Sequence, residues 1–111
     1  MPVRSVRRRY LWIHVLTDQT LDYASLNEII HKKIHYLYGV KGAVELNYKL
    51  IDFFPKKKNA IIRCNHDRLI EMRTVLAQIA VINSKPSRIS VKRLSGTIKT
   101  LKRHFINLVD F

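Results

Sequence analysis

Residues 46–65 read LNYKLIDFFPKKKNAIIRCN, and their pattern decides the fold. Leu46 to Phe54 is rich in residues that favour extended backbone and is expected as a strand. Pro55-Lys56-Lys57-Lys58-Asn59 is a turn, and Ala60 to Asn65 is the returning strand. The pair forms a hairpin with a basic tip. Its three lysines either meet phosphate or form a solvated tip that keeps strand edges from aggregating. Cys64, beside Arg63, is expected to point into the core and to be inert.

A helical pattern lies on each side of this hairpin. Before it, Asp22 to Tyr38 has a capping aspartate and an apolar stripe of Leu26, Ile29, Ile30, Ile34, Leu37 and Tyr38. Gly39 is placed to stop that helix, and Gly39 to Glu45 reads as a loop or short turn. After the hairpin, Asn65 or His66 opens a second helix that runs to about Ile82, with Leu69, Met72, Leu76, Ile79 and Ala80 on one stripe. Its far half, Val75 to Ile82, is apolar nearly all round and is expected to be buried on more than one side. Asn83-Ser84-Lys85-Pro86-Ser87 breaks the pattern. The first and last strands of the chain are Tyr10 to Leu16 and Arg88 to Leu94. In the last, Ile89 and Val91 should face inward and Ser90, Lys92 and Leu94 outward. A final helix carries Ile98, Leu101, Phe105 and Leu108 at helical spacing.

The order β-α-β-β-α-β plus a helix predicts an α+β fold: a ferredoxin-like, RRM-like four-stranded antiparallel sheet with two helices on one face and an added C-terminal helix. The chain has 111 residues, so a single domain over 1–111 is expected, with a basic N-terminal arm over 1–9. It is 47% hydrophobic, which is enough for a core. The one cysteine excludes an internal disulfide and a cysteine zinc cluster, and fits a reducing, cytoplasmic setting. The longest apolar run, Tyr10 to Leu16, is too short to span a membrane. It is followed by Thr17-Asp18-Gln19 and not by a signal-peptide cleavage pattern.

Twenty-one Lys and Arg against eight Asp and Glu give a net charge of +13. A small domain usually carries a charge of magnitude about 2–8, so the excess points to a polyanionic partner, nucleic acid ahead of anionic membrane or acidic protein. Besides the hairpin tip, the cations gather in two places. Arg4, Arg7, Arg8 and Arg9 precede the first strand. Lys99, Lys102 and Arg103 follow Ser95-Gly96-Thr97, where Ser95 is expected to cap the last helix, Gly96 permits close approach, and free N–H groups suit phosphate. An ordinary capped helix with solvated lysines is the plainer account of this motif. In the first strand Leu11, Ile13 and Val15 suit a helix-covered face. Tyr10, Trp12 and His14 then lie on the other face, where they either stack bases or are covered by the terminal helix or a partner subunit.

Catalytic chemistry is missing from the pattern. The acids Asp18, Asp22, Glu28, Glu45, Asp52, Asp67, Glu71 and Asp110 are scattered, with no close pair on a strand end. No phosphate-loop motif, dinucleotide fingerprint or nucleophile elbow is present. His31 and His35 have metal-ligand spacing on a helix but no evident third ligand, and read as an exposed pair. The chain reads as a binder with no catalytic residue and no metal site. Its third strand lacks the rings on which the common RNA-recognition module stacks bases, so RNA binding must rest on phosphate, shape and the basic arm.

Arg9-Tyr10-Leu11 entering the first strand, Ile61-Ile62-Arg63 in the third and above all Ser95-Gly96-Thr97-Ile98-Lys99 after the fourth resemble one family. It is the small α/β protein subunit of archaeal and eukaryotic ribonuclease P, called component 2 in archaea; the length looks archaeal. The resemblance implies an accessory, RNA-binding subunit and not a nuclease. It would support a catalytic RNA that removes the 5′ leader of precursor tRNA with magnesium held by that RNA, the chain itself binding no cofactor. The implied partners are the catalytic RNA, precursor tRNA and a TIM-barrel protein, component 3, with a homodimer inside a two-plus-two assembly. The implied RNA-facing residues are Arg7, Arg8, Arg9, Tyr10, Arg93, Ser95, Gly96, Thr97, Lys99, Lys102 and Arg103. Two alternatives stand beside it: a ferredoxin-like metal-dependent nuclease using Asp18 or Asp52, and a structural RNA-binding protein of the ribosomal kind.

Overall fold

A computed structural model describes residues 7–82 and 84–108, with side chains described through Arg103. Arg4 of the arm and the side chains of Phe105, Leu108 and Asp110 lie outside the described residues. Four long strands, β1 (Arg8–Leu16), β2 (Lys49–Phe54), β3 (Asn59–Asn65) and β6 (Arg88–Ser95), pair antiparallel in the order β2-β3-β1-β6. Helices α1 (Tyr23–Leu46) and α2 (Leu69–Gln78) cover one face, and α3 (Ile98–Leu108) lies on the other. A two-residue ribbon, β4 (Val81–Ile82) with β5 (Lys85–Pro86), interrupts the expected alternation before β6.

The hairpin forms at the expected place. Its turn closes with the Lys58 N–H donating to the Pro55 carbonyl at 3.3 Å, and Lys58 takes a left-handed φ of 56°. The preceding strand starts three residues later than its pattern suggested. Leu46 ends α1, and Asn47, left-handed at φ 52°, caps it by donating to Ala43.

Asp22 caps α1 as expected, accepting from the Ser25 N–H at 2.7 Å, and the hydrogen bonds to Ser25 hold its carboxyl below the usual range. Leu26, Ile30 and Ile34 are fully buried. Gly39 does break the first helical run, at φ 71°. Residues 40–46, however, are helical and not a loop. Gly39 supplies one left-handed residue, and the chain resumes a second helical arm. Gly42 serves that arm by close approach, since a Cβ there would collide with the Tyr38 Cβ.

The second helix is preceded by a 3-10 turn over His66–Arg68 and ends at Gln78, four residues short of expectation. Ile79 is extended at the helix C-cap with its N–H on the Leu76 carbonyl, and the β-branched Val81 and Ile82 take extended backbone and pair with Pro86 and Lys85 in the ribbon. Ser84 turns the ribbon at φ 66°. The far half is therefore not buried all round: Ile79 and Ile82 are buried, while Val81 is 59% exposed.

On the main core face Leu11, Ile13, Val15, Leu50, Ala60, Ile62, Cys64 and Ile89 pack with Met72, Val75 and Leu76 of α2 and with the α1 stripe. On the opposite face Trp12, Ile61 and Leu101 form a second buried cluster, joined by Tyr10, Ile51 and Phe54. Trp12 is therefore covered by the terminal helix and is not free to stack on a base. Two bulges adjust the sheet. Trp12 pairs with Arg93 but Ile13 with Val91, so Lys92 is an extra residue. That insertion reverses the alternation, and Leu94 packs on the main core instead of facing outward. In β2, Ile51 is the extra residue between Leu50 and Asp52.

Candidate nucleic-acid interface

Antiparallel pairing of β1 with β6 brings the two basic stretches to the same end of the sheet. Tyr10 lies opposite Ser95 on one side and Arg63 on the other. Arg8 and Arg9 sit opposite Asn65 and Cys64. Arg7 and Arg8 are exposed, and the Arg7 carbonyl accepts the His66 N–H at 2.7 Å. The Arg9 Nε donates to His66 Nδ1 at 2.9 Å, which places the imidazole proton on Nε2. One terminal nitrogen of Arg9 lies 3.1 Å from where a Gly96 Cβ would be. Close approach by Arg9, and not a left-handed backbone, is thus the reason for glycine at 96.

The Ser-Gly-Thr turn is built differently from the expectation. The Ser95 hydroxyl oxygen accepts from the Thr97 N–H at 3.2 Å, tightening the turn. Thr97 is the residue that caps α3, accepting from the Thr100 N–H at 3.3 Å. Both hydroxyls satisfy orphan donors, and the geometry assigns the cap to the residue immediately before the first helical position. Lys99 and Arg103 are exposed along α3. Lys102 reaches back to Asp52 on β2 with an N···O distance of 3.0 Å, tying the helix to the sheet. Arg93 is exposed on the face that α3 covers, opposite Trp12, and Tyr10 is half-buried against the Trp12 cluster.

Sequence inspection missed His66 and Arg63 as members of this end. Arg63 Nε is buried without a hydrogen-bond partner among the described residues, and its strand neighbours are Tyr10 and Lys49. Arg63 stands only in the Ile61-Ile62-Arg63 stretch of the resemblance and His66 only as a candidate helix start, because both join the site through pairing and not through spacing. The Lys56-Lys57-Lys58 tip stands at the other end. Lys58 Nζ donates to the Thr17 carbonyl at 2.5 Å, and the Lys58 carbonyl accepts from Val15. Lys58 thus fixes the hairpin tip against the end of β1.

Among the described residues no group of three or more His, Cys, Asp and Glu is placed to hold a metal ion. Asp52 is paired with Lys102, and Cys64 is fully buried with its thiol pushed up to about 11, by burial first and then by Glu71 and Asp67. Among them, too, no helix is long and apolar enough to cross a membrane.

Fold and site define a small α+β domain with one arginine-rich end and a terminal helix folded over its second sheet face. The chain belongs to the Rpp14/Pop5 family, which matches residues 9–106. Ribonuclease P protein component 2 of Pyrococcus horikoshii is 30% identical over 105 residues, covering 95% of this chain and 88% of that protein. The component 2 of Methanocaldococcus jannaschii is 28% identical over 108 residues, covering 96% and 78%. The component 2 of Methanosarcina barkeri is 25% identical over 111 residues, covering 100% and 81%. A chain in the cryo-EM structure of yeast ribonuclease MRP shares the fold with a TM-score of 0.67 at 13% identity, covering 96% of this chain and 94% of that one.

Proposed function

We propose that this chain is an RNA-binding protein subunit of ribonuclease P that supports removal of the 5′ leader from precursor tRNA, the cleavage being carried out by the RNA. The observation that carries the reading is the family match over residues 9–106, joined to a fold that gathers Arg7, Arg8, Arg9, Arg63 and the Ser95-Gly96-Thr97 turn at one end of the sheet. Guanidinium groups there can fork onto phosphate oxygens, and α3 continues the cationic surface through Lys99 and Arg103. Neutralising phosphates lowers repulsion between the enzyme RNA and its substrate. Magnesium belongs in this scheme to the RNA. The partners are the catalytic RNA, precursor tRNA and a TIM-barrel component 3, with two copies of each protein, and the setting is the cytoplasm. A metal-dependent nuclease is disfavoured by the commitment of Asp52 to Lys102 and by the lack of a metal-holding cluster among the described residues.

Reconstitution tests this directly. Labelled precursor tRNA, the organism's catalytic RNA and component 3 are combined with and without this chain. Cleavage at the mature 5′ end is expected to require the RNA and to rise when the chain is added. No stimulation despite tight RNA binding would favour a structural RNA-binding protein, and cleavage without the RNA would restore the nuclease.

A further inference from the structure

Antiparallel pairing places Ser95, Tyr10, Arg63 and Lys49 side by side, one residue from each strand across β6, β1, β3 and β2. At the usual spacing between strands this row is about 14 Å long. Alternation puts it on the second sheet face, because its strand neighbours Leu94, Leu11, Ile62 and Leu50 all pack in the main core. Helix α3 covers the next row in, where Leu101 packs on Trp12 and Ile61 and Lys102 pairs with Asp52. The row beside the start of that helix is left half-open. Lys49 is exposed, and Ser95, Tyr10 and Arg63 are half-buried. Arg8, two residues before Tyr10 and exposed, extends the same face.

Two features of this row work against the free chain. Arg63 Nε is buried with no hydrogen-bond partner among the described residues, and an unpaired buried donor is costly. Lys49 lies directly opposite Arg63, and like charges directly opposite across a sheet repel. No carboxylate relieves either one. Asp52 is taken by Lys102, and Glu45 and Glu71 are taken by Arg68. Arg9, in contrast, is already held by His66. An anion seated between Arg63 and Lys49 removes both defects at once. The row also continues past that pair. The Ser95 hydroxyl accepts from Thr97 and keeps its own proton to donate, and Tyr10, packed on the Trp12 cluster, forms the floor between Ser95 and Arg63. A row of this length with donors at both ends suits a chain of anions better than one compact ion.

We propose that this row is a track for an RNA backbone, which crosses the strands from the Ser95 turn to Lys49. The Arg63 guanidinium forks onto one phosphodiester, Lys49 and Arg8 neutralise its neighbours, and the Ser95 hydroxyl donates at the other end. The inference rests on the ribonuclease P reading and deepens it. The RNA does not stop at the arginine-rich end of the sheet but is carried over the second face to β2, the strand farthest from the Ser-Gly-Thr turn.

The test titrates the full chain with the organism's catalytic RNA and, separately, with precursor tRNA, over salt from about 50 to 200 mM, and melts each variant without RNA. Arg63→Met removes the partnerless nitrogen together with the charge. Its melting temperature is expected to match or exceed that of the wild type, while RNA affinity falls about tenfold and the salt slope flattens by about 0.7–0.9. The RNA whose slope responds is the one on the track. Lys49→Gln, at an exposed position, should flatten the same slope by a similar amount and keep the melting temperature. Arg63→Lys should keep the slope and still lose affinity, since an ammonium cannot fork. A lowered melting temperature with unchanged slopes would make Arg63 structural and overturn the proposal. So would an unchanged slope in Lys49→Gln, or affinity lost for component 3 in place of RNA. If the wild-type chain binds neither RNA and does not stimulate cleavage, the ribonuclease P reading fails as well. If it stimulates cleavage and both variants keep the wild-type slopes, the track alone fails.

Discussion

Cys64 sits near the end of the interior strand β3 with no exposed surface, and its thiol is pushed up to about 11. The thiolate is the reactive species, so at pH 8 only about a thousandth of it is available even before access is considered. A thiol reagent at pH 8 should therefore leave the native chain unlabelled and label it at the rate of unfolding; rapid labelling of folded protein would contradict the burial. The two glycines of α1 separate by the same residue-level logic. Gly39→Ala has open space around its new methyl but places a side chain at φ 71°, a strain of about 1–2 kcal/mol. In Gly42→Ala the new methyl meets the Tyr38 Cβ, which cannot swing away as the end of a long side chain would. Denaturant unfolding should show both variants destabilised, with the second also disturbing Tyr38 and the packing between the arms. Gly96→Ala, in contrast, meets only the mobile end of Arg9, so it should cost little stability and act on the arginine's position.

At the scale of elements, α3 is held by Leu101 in the Trp12–Ile61 cluster and by the Lys102–Asp52 ion pair. Lys102 and Asp52 are 48% and 36% exposed, so the pair is worth at most about 1 kcal/mol, whereas truncating a buried leucine costs about 2–5 kcal/mol. Leu101→Ala should loosen the helix and let water reach Trp12, the chain's one tryptophan, shifting its emission to longer wavelength. Lys102→Ala should leave the emission nearly unchanged. The elements themselves were largely legible: a turn with Pro55 and a lysine run, a cap at Asp22 and alternation in β1 each carry a local cause. What was not legible came from outside each segment. The helical pattern of residues 40–46 was hidden by the two glycines, whose use depends on Tyr38 and on one left-handed residue. The extended backbone of Val81 and Ile82 depends on a partner strand, and the outward placement of Leu94 failed because a bulge at Lys92 leaves no trace in alternation alone.

For the whole molecule, charge was the clearest message in the composition, but its layout required the fold. Arg9 and Gly96 are far apart in sequence, and antiparallel pairing of β1 with β6 makes them neighbours. Pairing of β1 with β3 brings Arg63 and His66 to the same end, which is why spacing alone did not assign them to it. The layout refines the expected salt dependence of RNA binding. Each freed phosphate counterion contributes a slope of about −0.7 to −0.9, so replacing the exposed Lys99 and Arg103 together should flatten the slope by about 1.4–1.8 units. Lys102, compensated by Asp52, should add less than one unit more when it is also replaced. A slope unchanged by all three would remove α3 from the RNA contact. The strand order also has a consequence for how the chain is made. Tyr10 pairs with Ser95, so 85 residues separate the two sides of that contact, and the central strand lacks one neighbour until nearly all of the chain has been synthesised. Helix α3 emerges later still, so the nascent sheet offers Trp12, Ile61 and Phe54 to the surrounding water throughout that interval. During translation this face, and not the arginine-rich end, is the apolar surface that stays uncovered until α3 has emerged.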